Sequence, residues 1–588
     1  MKYPIKFQQK LEDFWQASTS NPLPALVIAG SISLAGYLLF ASVAFFIPDI
    51  DRGHFPPYLA LPESGFELSS YYLLYTAICL NALTLFGLYL FSLRAVGAGR
   101  SEPDPDESAD DETAQSTHPS IWSNRTNRII FGFAVLFHVL MFITPFLLST
   151  DIFDYIRHGR IFAFYGENPL IVPATYFPQD PFFSLGGWVG TGSVYGSLHV
   201  YITAALALIA GDGVGANFLL FKGFFISMNL VNLLFIWKIA SRIKPGLERK
   251  ALVFYGWNPF VLTLVVANAH NDILMLTLVL AGLLCYLDRR YLIGVLCLTA
   301  ATLVKFIALP IMLVYIALAM RKQKDRIHRI AFAAGSLVLA VCLTVVSYVP
   351  LWAGRETFLY LTAVGQKTNF TISALLRDTA ADHLQLSLSN TIVQAALAGI
   401  LVAYLIWHLV GVKNFTSLIS ASAGLALITP LALFWFQPWY LTMGLGLVAL
   451  RPWRYMYVAA IAFSFSVMFF DSFWWHAPMS MDIQKPLRVM IVFGPPLILL
   501  AVLKAREAGP RAWERLVDWT LDEGPETGNI AKPAAADITD PAPGRLVAEI
   551  AVLLVAAAIP MAVVISTSPP LRSIAGLIGV KLKLLVNF

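Results

Sequence analysis

The sequence has few charged residues for its length. Of its 588 residues, 41 are Lys or Arg and 36 are Asp or Glu, so only 13% carry a charge. Soluble globular proteins carry about 25%, because charged side chains cover the surface that faces water. This scarcity excludes an ordinary soluble enzyme and a disordered protein. The net charge of +5 gives no support to a nucleic-acid-binding function either.

Cysteines and nucleotide-binding motifs are also scarce. The four cysteines are Cys79, Cys285, Cys297 and Cys342. They lie inside apolar runs without a CxxC pair, so we interpret them as buried small side chains rather than disulfides or metal ligands. The chain has no GxGxxG or P-loop pattern, and nothing therefore indicates a soluble nucleotide-binding domain.

Apolar residues are abundant, at 57% of the chain, and they cluster in long runs. A membrane-spanning helix needs about 20 such residues. The runs predict an all-α, polytopic transmembrane protein with about 13–15 spans. The first run starts near Leu23 without a small-residue cleavage site, which predicts a retained span rather than a cleaved signal peptide.

The runs and the stretches between them divide the chain into five segments. The stretch SEPDPDESADDETAQS is rich in acids and proline and predicts a disordered linker, with an acidic docking segment as the alternative. The predicted segments are a transmembrane hairpin (1–93), this acidic cytoplasmic linker (94–127), a catalytic transmembrane core (128–503), a cytoplasmic segment (504–544), and a last span with an interfacial tail (545–588).

Basic residues predict the orientation. Clusters of Lys and Arg mark the cytoplasmic side of a membrane protein. In this chain they occupy loops that span parity places on the same side as the N-terminus. Two long loops then fall on the outer side, 149–215 and 351–389, which we call the first and second long loops. The first is expected to carry short helices. The basic clusters lie at 242–250, 321–329, 451–454 and 504–515.

The most informative motif opens the first long loop, in the sequence STDIFDYIRHGR. On a helix, Asp151, Asp154 and His158 share one face, with Arg157 and Arg160 close by. A carboxylate beside cations and aromatic rings at a membrane exit can act as a general base with a shifted pKa. The alternative is a salt-bridged interfacial helix that only anchors the loop.

A second polar cluster, Asn268, His270, Asn271 and Asp272, lies between two apolar runs and is expected at the outer membrane boundary. Polar residues at such positions are costly and indicate a functional site. The alternative is a polar hairpin turn. The His–Asp pair has no companion ligand motif, so no metal site is expected.

Two further features lie near the same predicted face. Lys305 is a lone charge between apolar runs, and its side chain reaches a phosphate or a carboxylate, or extends to water as the alternative. Gln437, Trp439 and Tyr440, in FQPWYL, form either a sugar-stacking platform or part of an interfacial aromatic belt.

In order and spacing, these motifs resemble the GT-C glycosyltransferases that use polyprenyl-phosphate sugars, and most closely the bacterial mannosyltransferases that take polyprenyl-phosphate mannose. Ser197 departs from the proline of the family's Tyr-Gly-Pro-Leu element. The matching residues are Asp151, Ile152, Tyr155, Gly159 and Arg160; Asn168-Pro169; Tyr195-Gly196-Ser197-Leu198; Asn258-Pro259; Asn268 to Asp272; Ala301 to Lys305; and Gln437 to Tyr440.

The resemblance implies roles for these residues. Asp151 is the expected general base, with Asp154 as its rival. Lys305 and His270, helped by Arg157 and Arg160, are expected to bind the donor phosphate. No metal or other cofactor is expected. Further substrate contacts are expected from His158, Asn168, Tyr195, Asn268, Asn271, Asp272, Gln437, Trp439 and Tyr440.

The implied function is inverting transfer of a hexose, mannose by the resemblance, from a polyprenyl-phosphate donor to an extracytoplasmic lipid or glycan acceptor. The expected location is a bacterial plasma membrane, with the active site on its outer side. A transporter or lipid flippase is the alternative, but such proteins often contain internal repeats, and none is evident. A non-catalytic scaffold gives no reason for polar residues to gather near one face.

Overall fold

A computed structural model describes residues 22–43, 68–97, 121, 124–144, 149–367, 369–384, 390–468 and 481–507. Within these ranges the regular structure is helical and no β-strand occurs, which confirms the predicted all-α fold. The helices before residue 305 are α1 (Pro22–Val43), α2 (Leu68–Gly97), α3 (Arg125–Ile143), α4 (Asp151–Phe164), α5 (Ser197–Ala210), α6 (Val214–Ile243), α7 (Leu247–Gly256), α8 (Asp272–Leu287) and α9 (Tyr291–Val304).

The remaining helices follow in two compact units. The described residues from 22 to 452 belong to one unit, which contains every predicted site residue; described residues 453–468 and 481–507 belong to the other. The first unit continues with α10 (Leu309–Arg321), α11 (Arg326–Tyr348), α12 (Leu359–Gln366), α13 (Ile372–Leu384), α14 (Asn390–Gly411), α15 (Phe415–Ala432) and α16 (Leu441–Leu450). The second unit holds α17 (Arg454–Val467) and α18 (Met481–Glu507).

Eight helices of the described ranges are long and apolar enough to cross a membrane, and six more apolar helices are shorter. The outward faces of the helices are apolar. For example, Ile400, Trp407 and Val410 of α14 are 62%, 72% and 73% exposed. Exposed apolar patches of this kind are rare on proteins surrounded by water. The protein is therefore a polytopic membrane protein whose outer helices face lipid.

The apolar run at about 251–267, which counts among the predicted spans, does not form one continuous helix. Residues 251–267 fold as the end of α7 and a separate π-helix, Val261–Val266. The break falls at Asn258-Pro259, because proline lacks the N–H that a continuing helix would use. Trp257 and Asn258 fix the break, donating hydrogen bonds to the Ile130 carbonyl at 2.9 Å and the Tyr89 hydroxyl at 3.4 Å.

Both long loops contain short helices, as predicted for the first. The first long loop holds α4 and α5, and the second holds α12 and α13. Asn168 joins the two loops, because its side-chain amide donates to the Leu351 carbonyl at 2.7 Å. Tyr201 of α5 donates to the Ser347 carbonyl near the end of α11 at 2.6 Å. These contacts hold the first long loop against the helices that frame it.

The predicted segment boundaries fall partly on described residues. Helix α2 runs on to Gly97 and α3 begins at Arg125, so both ends of the predicted 94–127 linker are helical. The acidic stretch itself, most of the 504–544 segment and the last predicted span lie outside the described residues. The five-segment division and the span count remain predictions.

Candidate active site

A cavity of about 350 Å³ lies where the two long loops meet the ends of the helices. Its walls come from α4, the part of the first long loop just before α5, the segment after α9, helix α12, and the chain from α15 to Tyr440. We call it the Asp151 cavity. The lining residues that the sequence motifs identify are Asp151, Asp154, His158, Tyr195, Lys305, Gln437, Trp439 and Tyr440.

The two candidate bases open α4 but have different partners. Asp154 forms a buried ion pair with Arg157, one helical turn along. The nearest basic group to Asp151 is His270, whose Nδ1 lies 3.6 Å from Oδ2 of the carboxylate. The Asp151 side chain also keeps 14% of its surface exposed. Asp151 is therefore the carboxylate that stays available to a bound molecule.

Burial raises the pKa of both carboxylates towards neutral pH. Burial, the charge of Asp154 and, more weakly, Asp272 raise the pKa of Asp151 to about 7, against the opposing effect of Lys305. Burial raises the pKa of Asp154 to about 6, opposed by Arg157. A general base works best with a pKa near the working pH. This range suits Asp151 to accept a proton from a hydroxyl group.

The two arginines of α4 are already occupied. Arg157 donates to the Leu185 and Phe182 carbonyls as well as to Asp154. Arg160 forms ion pairs with Asp180 at 2.9 Å and Asp212 at 2.8 Å. Neither arginine lines the Asp151 cavity. Their observed contacts hold the first long loop in place.

His270 is fully buried behind Asp151. Its ring stacks on Trp439, with the ring centres 3.8 Å apart and the planes inclined by 16°. The turn that carries His270 contains Ala269 at a φ of +55°, a conformation that side chains other than glycine rarely adopt. Strained backbone of this kind clusters at functional sites. The turn holds the His270 imidazole between Asp151 and Trp439.

Asp272 and Lys305 form an ion pair beside the Asp151 cavity. The Lys305 ammonium lies 2.9 and 2.8 Å from the two carboxylate oxygens of Asp272. It also lies 4.4 Å from the centre of the Tyr440 ring and 5.8 Å from that of Tyr195. The pair joins the start of α8 to the end of α9, and Lys305 reaches the cavity while Asp272 stays buried.

Gly196 allows the first long loop to approach α9. Its N–H donates to the Val304 carbonyl at 3.1 Å. A Cβ atom at this position would lie 2.1 Å from the Leu303 carbonyl oxygen, so a larger residue would push the two segments apart. This close approach places Tyr195 beside Lys305. The Tyr-Gly element of the sequence therefore has a packing role as well as a lining role.

Three predicted asparagines do not line the cavity. Asn268 donates to the Thr263 and Leu264 carbonyls at 3.0 Å each and closes the turn. Asn168 is used in the contact between the loops. Asn271 is fully buried, and its side chain has no hydrogen-bond partner among the described residues. Since Asn268 to Asp272 are all at most 1% exposed, the cluster is packed inside the protein.

The sequence motifs miss part of the wall. Trp188 and Trp435 line the cavity and meet edge to face, with ring centres 5.9 Å apart. Leu361 and Val364 of α12 line it too. A tryptophan in a long loop gives no helical or spacing signal, and only the clustering of aromatic residues near the known motifs could have indicated it.

Comparison with known proteins supports a glycosyltransferase. Residues 77–322 match the family described as alpha-(1->6)-mannopyranosyltransferase, N-terminal domain. The chain is 28% identical over 242 residues to alpha-(1->6)-mannopyranosyltransferase A of Corynebacterium glutamicum, covering 38% of this chain and 48% of that protein. This chain therefore resembles the polytopic mannosyltransferases. The Mycobacterium tuberculosis protein of the same name is 24% identical to this chain over 250 residues, which cover 40% of this chain and 48% of that protein.

These matches confirm the relationship that the motifs indicate. The chain spans about half the length of these two relatives. The matched region includes the first long loop, the Asn268–Asp272 turn and Lys305. It ends before Gln437, so the family match does not cover the aromatic wall formed by Trp439 and Tyr440, which the sequence motif predicted and the structure places in the cavity.

Proposed function

We propose that this protein is an inverting mannosyltransferase that takes mannose from polyprenyl-phosphate mannose and transfers it to a lipid or glycan acceptor. We place it in a bacterial plasma membrane with the Asp151 cavity on the extracytoplasmic side. The observation that carries the proposal is the pairing of an available carboxylate, Asp151, with an aromatic wall and a lysine in one cavity. The family match favours this reading over a transporter or flippase.

The proposed reaction begins with the acceptor hydroxyl at Asp151. The carboxylate takes the hydroxyl proton while the hydroxyl oxygen attacks the anomeric carbon of the donor sugar. The Nδ1 atom of His270 lies 3.6 Å from the carboxylate, on its buried side. The bond between the anomeric carbon and the phosphate oxygen breaks on the opposite face, so the configuration inverts. Polyprenyl phosphate leaves with the bonding electrons.

The leaving phosphate gains charge as this bond breaks, and hydrogen-bond donors fixed in advance stabilise such charge. Lys305 is the proposed donor. Its ammonium group has three N–H bonds, and the pair with Asp272 leaves one to point towards the cavity. Trp439 and Tyr440 provide flat aromatic faces against which a sugar ring can pack.

The test is mannosyl transfer by purified full-length protein supplied with polyprenyl-phosphate mannose. Replacing a general base typically lowers the rate by about 10²- to 10⁴-fold. We expect Asp151→Asn to lose activity on this scale and Asp154→Asn to lose less, since Asp154 is bound to Arg157. Full activity in Asp151→Asn would contradict the assignment of the base.

Asp325→Asn is the matched control, because Asp325 is an exposed carboxylate that caps α11 far along the chain from the motifs. It should keep wild-type activity. The donor is tested separately by replacing polyprenyl-phosphate mannose with a nucleotide-activated mannose. Transfer from the nucleotide donor alone would overturn the proposed donor class.

A further inference from the structure

The cations around the Asp151 cavity are largely neutralised by carboxylates. Lys305 is paired with both oxygens of Asp272, and Arg157 with Asp154. Burial and the neighbouring Arg157 lower the pKa of His158 to about 3, so this cavity-lining imidazole is neutral. Asp151 adds a negative charge when it acts as a base. A donor phosphate bound here would therefore lack a compensating positive charge.

Lys367 supplies a cation beside Trp188, one of the residues that line the cavity. It directly follows α12, and its ammonium lies 4.5 Å from the centre of the Trp188 ring, which lines the cavity. Its side chain is half-buried. Within the described ranges no carboxylate lies within 4.0 Å of this ammonium. Lys367 thus differs from Lys305 and Arg157, which are each bound to a carboxylate.

Helix α12 places an apolar strip next to this cation. Leu361 and Val364 are three residues apart, lie on one face and line the cavity. The helix packs closely on the first long loop, since a Cβ atom on Gly192 would lie 2.5 Å from the ring of Tyr360. An apolar strip that ends at a lysine matches a molecule with a hydrocarbon chain and an anionic head.

We propose that α12 and Lys367 form the binding site for the prenyl-phosphate part of the donor. The Lys367 ammonium pairs with the phosphate, and Leu361 and Val364 contact the first part of the chain. Lys305 stays paired with Asp272 and contributes a hydrogen bond rather than net charge. The inference rests on the proposed function, since it assumes a lipid-phosphate donor.

The experiment measures binding of polyprenyl monophosphate and of the uncharged polyprenol of equal length to the full-length protein in nanodiscs. Lys367→Met removes the charge but keeps an unbranched chain on Trp188. A hydrogen bond between charged groups is worth about 10- to 100-fold in affinity. We expect a loss of this size for the phosphate, no change for the alcohol, and near-wild-type binding by Lys367→Arg.

Lys413→Gln is the matched control, because Lys413 is an exposed lysine between α14 and α15; it should bind both lipids normally. Lys367→Gln repeats the test if the methionine perturbs folding, which size-exclusion chromatography reports. Wild-type preference for the phosphate with equal binding by Lys367→Met would overturn the Lys367 site alone. A wild-type protein without that preference would overturn the lipid-phosphate donor as well.

Discussion

At the scale of single residues, Asp151 and Asp154 show how neighbours separate two chemically identical groups. Both stand in the first turn of α4, and both are favoured there by the helix dipole. Arg157 binds Asp154, whereas among the described residues Asp151 forms no ion pair with a lysine or an arginine and has the His270 imidazole 3.6 Å away. The pair therefore offers one bound carboxylate and one available carboxylate, although the sequence motif contains two equivalent ones.

The pKa of Asp151 predicts the pH dependence of transfer. The base must be ionised, so kcat/KM should rise with pH up to about 7 and then level off. Asp154→Asn removes a negative charge that raises the pKa of Asp151, so the acid limb should move to lower pH. Lys305→Met removes a positive charge that lowers the pKa of Asp151, so the rise of kcat/KM with pH should move to higher pH.

Rates measured on each variant from about pH 5 to about pH 9 check this prediction. The Asp325→Asn variant provides the reference profile, because Asp325 lies outside the cavity. An acid limb that stays in place in both charge variants would show that a different group controls the rate.

At the scale of helices, the Asp272–Lys305 ion pair links α8 to α9. Asp272 is 1% exposed and the Lys305 side chain 15% exposed, so the pair is largely removed from water. Removing one partner of a buried pair leaves an uncompensated charge and costs about 3–5 kcal/mol. We expect Lys305→Met to lower the free energy of unfolding by about 3 kcal/mol, and Lys305→Met/Asp272→Asn to recover much of that loss.

Denaturant unfolding of the detergent-solubilised variants measures the stability, and mannosyl transfer measures function on the same samples. The double variant should be stable yet poorly active, since it lacks the proposed hydrogen-bond donor to the phosphate. Equal stability of the single and double variants would mean that the ion pair does not couple the two helices.

At the scale of the whole molecule, the exposed apolar faces of the outer helices show that lipid surrounds the protein. The basic clusters predict which end of the bundle faces the cytoplasm. If the orientation is correct, Tyr176→Cys and Trp352→Cys should react with an impermeant maleimide on intact cells. Lys324→Cys should react only after the membrane is permeabilised. Tyr176 and Trp352 are 72% and 62% exposed, and Lys324 is exposed as well.

The labelling needs a background in which Cys79, Cys285, Cys297 and Cys342 are replaced, and that background must retain activity. It serves as the unlabelled control. Labelling of Lys324→Cys on intact cells, with labelling of Tyr176→Cys only after permeabilisation, would contradict the predicted orientation and place the Asp151 cavity on the cytoplasmic side.

The sequence by itself determined the fold class and most of the candidate site. Apolar runs specify helices in lipid because the backbone there must satisfy its hydrogen bonds internally, and the ordered motifs around Asp151, His270, Lys305 and Trp439 come together in the structure. The length of the apolar run at 251–267 suggested one continuous span, although Pro259 within the run is a residue that breaks helices.

Only the tertiary structure decided which charges remain available. The ion pairs of Arg157 and Arg160, and the pairing of Lys305 with Asp272, join residues that are close in space, and some are far apart in the chain. Helix α12 and Trp188 reach the cavity from long loops without a repeating pattern. The few charges of this chain acquire their separate roles through those contacts, because a charge's effect depends on its neighbours and its burial.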